Sequence, residues 1–200
     1  MLLFLNYYLP FFLVVYLAVT FILPSVRVYK QTGLNPVTFG KSDNAHDYIG
    51  SVMKVLTGLL IVAVIVFSIN GNAYQYVSPI VYLQTEWLQY TGLLLIHASL
   101  VWIIIAQYHM KQSWRIGIDE KNKTDLITNG LFRFSRNPIF LGMILSTAGI
   151  FLILPNALTF FITATTYIVI QIQIRLEEEY LMGQHGSMYK AYKQKVNRLL

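Results

Sequence analysis

The chain contains no cysteine. Disulfides, thiolate metal sites and a cysteine nucleophile are therefore excluded. Charge is scarce as well: only 12% of the 200 residues are Asp, Glu, Lys or Arg, against roughly 25% in soluble domains. Basic residues are missing altogether from the N-terminal stretch before Arg27, from about 71–87 and from 154–156. Internal repeats and low-complexity segments are also lacking, and the length suits one domain over 1–200.

What remains is apolar: 56% of the residues are hydrophobic. They fall into five stretches, roughly 3–24, 50–70, 88–108, 138–154 and 156–174, near the length of about 20 that a bilayer core requires. Leu154-Pro155-Asn156 separates the last two, and Pro and Asn are turn formers, so these stretches read as a tight helical hairpin rather than one bent helix. All 15 basic residues, including Arg27, Lys30, Lys41, Lys54 and the groups at 111–136 and 175–198, lie on one side of this layout. The positive-inside rule then predicts an all-α polytopic protein with about five transmembrane helices, its N-terminus out and its C-terminus cytoplasmic. The first span has no basic n-region and is too long for a signal peptide. A pI near 9.4 is explained by orientation and anionic headgroups, so membrane lipids are expected as partners and nucleic acid is not. The expected address is the inner or plasma membrane of a prokaryote, with any site facing the cytoplasm.

Two segments carry chemistry. In the first, Arg136-Asn137-Pro138-Ile139-Phe140 opens the fourth span. Proline suits the first helical turn, and the free N–H groups behind it, with the helix dipole, favour an anion. Arg136 could add a forked pair to a carboxylate. In the second, Glu177-Glu178-Glu179 follows the fifth span directly, where acidic residues do little for topology. A carboxylate here could hold an ammonium or sulfonium group or act as a general base. Behind it, Leu181, Gly186, Tyr189 and Tyr192 predict a helix, a break at Gly183 or Gly186, and a second helix against the membrane surface. His97 lies in mid-span, where an ionisable side chain marks either function or a bond to a neighbouring helix. Asp43-x-x-His46-Asp47 reads as a helix N-cap rather than a metal cluster, and no metal is expected.

Taken together, Arg136-Asn-Pro-Ile-Phe-Leu-Gly142 and Glu177-Glu-x-x-Leu181…Gly186-x-x-Tyr189-x-x-Tyr192 resemble the paired motifs of the isoprenylcysteine carboxyl methyltransferase and phospholipid methyltransferase superfamily. The resemblance is strongest over about 114–200. It implies S-adenosylmethionine as cofactor, held by Thr124, Asp125, Leu126 and Ile127, by Phe132, by Arg136 with Asn137-Pro138-Ile139-Phe140, and by Glu177. Two residues depart from the family pattern: Asn137 replaces a His and Phe140 a Tyr. Asn keeps a donor and an acceptor but cannot titrate. A third departure is Gln173, which stands where prenylcysteine enzymes carry an Arg for the acceptor. Arg175 is about 200° further around the helix.

The expected function is methyl transfer from S-adenosylmethionine to a lipidic, amphipathic or prenylated acceptor, an amine or a carboxylate, entering from the inner leaflet. Glu178 and Arg175 are the candidate catalytic groups, while Gln173, Arg175 and His97 are the candidate acceptor contacts. The cofactor site would sit at the cytoplasmic interface. Two alternatives stand beside this: an NADPH-dependent reductase of sterol-reductase type, and a non-catalytic membrane protein keeping the fold.

Overall fold

The computed structural model describes residues 1–40, 43–69, 71–119 and 121–200, with the backbone alone at Leu2. Lys41, one of the basic residues counted above, lies outside them. The helices are α1 (Leu2–Leu17), α2 (Leu23–Thr32), α3 (Ala45–Ile69), the one-turn α4 (Gly71–Tyr74), α5 (Glu86–Met110), α6 (Pro138–Ile153) and α7 (Ala157–Lys195). Among the described residues the only extended pairings are two isolated bridges, Val37 with Ile116 and Pro79 with Asn156.

The protein is all-α. Among the described residues, four helical runs are long and apolar enough to cross a membrane: Leu3–Thr32, Ala45–Ile69, Glu86–Ser113 and Ala157–Lys195. The fifth expected span is α6, apolar but only 16 residues long. That is about 24 Å of helix, short of a core about 30 Å thick. The expected hairpin is present. Asn156 caps α7 by accepting from the Thr159 N–H at 2.9 Å, and the Thr159 hydroxyl accepts from the Asn156 N–H at 3.3 Å. This reciprocal box starts a new helix, so α6 and α7 are two elements.

The first helical run is longer than its apolar stretch. A π-helical segment, Ala18–Ile22, links α1 to α2, and the helix runs on until Gly33 closes it in the left-handed region at φ 72°. The Thr20 carbonyl in that segment accepts from Gln107 Nε2 at 2.7 Å, which ties α5 to the first helix.

Small residues set the closest packing. At Gly92 a Cβ would lie 2.6 Å from the Gly149 carbonyl oxygen, and at Gly142 2.5 Å from Ile103. Ser99 and Ser146 hydroxyls bond across the same seam at 2.7 Å. With lipid outside, α5 and α6 gain by close approach and interhelical bonds rather than by leaving water. The core gathers Leu5, Leu9, Phe12, Leu60, Ile96, Ile103, Ile150 and Ile162.

The apolar part of α7 ends at Ile174, and from Arg175 on the helix is charged. It bends at Gly186, whose φ 50° and ψ −120° interrupt the helix. That bend turns the last helical arm and the tail back toward the start of α6.

Candidate active site

The end of the molecule that carries the charged loops is built around α6. Pro138 is its first helical residue, so the N–H groups of Ile139 and Phe140 have no carbonyl within the helix to bond. Asn137 is held from both sides. Its N–H donates to Ser135 Oγ at 3.1 Å, and its Nδ2 donates to the Arg198 carbonyl at 2.9 Å.

Arg136, beside it, is committed within the protein. One guanidinium nitrogen donates to the carbonyls of Lys193 and Val196, at 2.8 and 3.1 Å, and the other to Glu178 Oε1 at 2.6 Å. Its backbone N–H bonds the Asn197 carbonyl at 3.0 Å. Only its Nε is left, buried and without a partner.

Glu178 is the hub of this arrangement. It is 5% exposed and meets Arg136, a bidentate Arg198 at 2.9 and 2.8 Å, and Lys193 at 3.2 Å. Burial alone would raise its carboxyl. Arg198, Lys193 and Arg136 outweigh burial and hold it down at about 2. A carboxylate this acidic and this crowded has no free edge for a proton or a ligand, so the geometry does not support the expected role of Glu178 as a general base.

Glu177 has the opposite surroundings. Among the described residues its one bond is from Gln173 Nε2, at 2.9 Å, and burial pushes its carboxyl up to about 7, against a small downward pull from that amide. It faces a cavity of about 520 Å³, inside the usual range for small-molecule sites. Phe132, Arg136, Asn137, Pro138, Ile139, Phe140 and Gln173 line the same cavity. Residues some 40 positions apart in the chain thus meet at one void. Gln173 Oε1, like Arg136 Nε, is buried there without a partner. Orphaned polar atoms on a cavity wall fit a polar ligand, because each costs free energy until it is satisfied.

The structure leaves other sequence candidates outside this cavity. Asp125 and Ile127 border a second cavity of about 530 Å³ with Arg27 and Lys111, and Thr124 and Leu126 line neither. Met110 borders both cavities. Arg175 is exposed and folds back onto the Gln171 carbonyl at 2.5 Å, as its angular offset on α7 requires. His97 bonds the Tyr8 hydroxyl and, at 2.6 Å, the Leu93 carbonyl, among the rings of Tyr8 and Phe12. It ties α5 to α1, away from the cavity.

Sequence reasoning missed the other wall. Met53, Lys54, Thr57 and Gly58 of α3 line the cavity, as do Thr20 and Phe21 of the first helix and the paired loops around Phe39 and Trp114. The loops are joined by Thr38, which donates to the Ile116 carbonyl through its N–H at 3.0 Å and its hydroxyl at 2.9 Å. His46 Nε2 accepts from the Ile118 N–H at 2.8 Å. The interrupted α3 pattern, with a lysine between Gly50 and Gly58, was the one available signal.

A family model described as phospholipid methyltransferase matches residues 87–188. The chain belongs to the phospholipid methyltransferase family. The match begins at the start of α5 and ends two residues past the bend in α7, so it contains Arg136–Phe140, Gln173, Glu177 and Glu178. Helices α1 to α3 lie outside it. No curated protein matches the chain. Family membership and the four spanning-length helices make this a membrane protein of a methyltransferase class.

Proposed function

We propose that this protein transfers a methyl group from S-adenosylmethionine to a lipidic or amphipathic amine or carboxylate at the cytoplasmic face of its membrane, as one domain over 1–200. The observation that carries this reading is the convergence of Glu177 and the start of α6 on one cavity. S-adenosylmethionine supplies an already activated methyl group on a sulfonium, so the protein has mainly to bind and align. Orientation of this kind contributes about 7–11 kcal/mol in favourable cases.

The chain's own groups suit the task. Glu177 pairs with an ammonium group, and its ionisation is favoured once that cation is in place. The Ile139 and Phe140 N–H groups and the Arg136 Nε suit a carboxylate. Phe132 and Phe140 offer ring faces. Arg136 acts chiefly by tying α6, α7 and the tail together. The apolar lining keeps water from the nucleophile, and a carboxylate acceptor needs no base.

Calorimetric titration of S-adenosylmethionine into the detergent-purified protein tests the reading, with NADPH and Glu177→Ala as controls. Micromolar binding that disappears in the variant supports it. A well-folded wild type that binds no S-adenosylmethionine overturns it, and binding of NADPH alone would favour a reductase.

A further inference from the structure

Helix α3 brings to the cavity something the family-matched segment does not. Lys54 is the one charged residue between Tyr48 and Ile69, nine residues and about 13 Å into the helix. The other cationic side chains on the cavity wall are committed, Arg115 to Asp119 at 3.2 Å and Arg136 to Glu178. Among the described residues no carboxylate lies within ion-pair distance of Lys54. Lys54 is exposed, near the charged-loop end of α3 where the helix borders the cavity, and a long cationic side chain there reaches to headgroup level.

The second observation is steric. Met53, Lys54, Thr57, Gly58 and Ile61 fall at helical spacing and all line the cavity. Gly58 is exposed and a Cβ there would meet nothing within 4 Å, so the helix surface at the cavity is open one turn below the lysine.

We propose that α3 is the acceptor track: Lys54 binds an anionic oxygen of the acceptor headgroup, phosphate or carboxylate, and the acceptor's apolar chain lies over Gly58 toward Ile61. The acceptor is then an acidic or zwitterionic amphiphile, and its selection resides in the N-terminal helices, outside residues 87–188. The inference rests on the proposed methyl transfer only in naming the ligand an acceptor.

Binding is therefore measured without cofactor, by fluorescence of a dansylated undecanoic acid and of its uncharged methyl ester. Wild type should bind the acid more tightly than the ester. Lys54→Gln should weaken the acid about tenfold, as loss of a charge-assisted bond does, leave the ester unchanged, and be rescued by Lys54→Arg. Gly58→Leu, in protein that remains monodisperse, should weaken both probes. Displacement by dodecyl phosphate or by dodecanoate identifies which headgroup is preferred. Equal affinity of wild type for acid and ester, or an unchanged acid affinity in Lys54→Gln, overturns the proposal. Wild type that binds the acid but not S-adenosylmethionine sinks the methyl-transfer reading and leaves this one standing. Lys54→Gln should also keep wild-type S-adenosylmethionine affinity.

Discussion

Glu177 and Glu178 are neighbours with opposite surroundings, and their pH behaviour should differ accordingly. The Glu178 carboxyl is held down at about 2. A depressed acid stabilises the fold above its unfolded value near 4.5 and loses that contribution as pH falls toward 2. Glu178→Gln should therefore flatten the acid side of a thermal-stability profile. Glu178→Ala should also cost about 3 kcal/mol of stability, read as a lower melting temperature, since it strands the buried Arg136. The Glu177 carboxyl is raised to about 7, so the sign reverses: its contribution is complete below about 4.5 and fades as pH rises through 7. Ionisation is also what an ammonium ligand needs. S-adenosylmethionine affinity should thus improve from pH 6 to 7.5 with proton release, seen as a buffer-dependent heat, and Glu177→Gln should abolish that dependence. At this scale the sequence distinguished the two carboxylates only by family resemblance. Which of them reaches the cavity follows from where the bend and the tail place Arg198 and Lys193, and spacing along α7 does not encode that.

Among the elements, the hairpin was legible in Leu154-Pro155-Asn156, and the bend in α7 was narrowed to Gly183 or Gly186 because only a glycine readily takes a positive φ. The π-helical segment was not legible: Ala18–Ile22 is as apolar as its neighbours, and a change in hydrogen-bond register leaves no mark in composition. Nor was the pairing of the loops around Thr38 and Ile116, 78 residues apart, a backbone event between distant segments. Gly117 now explains itself there. It has φ 94°, and a Cβ would stand 2.7 Å from His46 Nε2 and Thr38 Oγ1. Gly117→Val should part the two loops, seen as faster proteolysis between residues 34 and 40 with the helices intact by circular dichroism. Gly149→Leu, by contrast, drives a side chain into Ile96 and the Gly92 carbonyl, and should prevent α5 and α6 from assembling at all.

For the molecule as a whole, the charge layout predicts an orientation that the helix count alone does not. Because the chain has no cysteine, single cysteines can be introduced as unambiguous probes. A cysteine at exposed Tyr76 should react with an impermeant maleimide in intact cells, and one at exposed Met188 only after permeabilisation. The reverse pattern would invert the topology and move the cavity to the other face. The convergence on Glu178 has a consequence for motion as well. Arg136 precedes α6, Lys193 lies in the last helical arm and Arg198 in the tail, yet one carboxylate holds all three. None can leave without weakening the hold on the rest, so the three segments should open as a single unit. Hydrogen exchange would then report one shared opening rate for the amides of Arg136 and Val196, although 60 residues separate them.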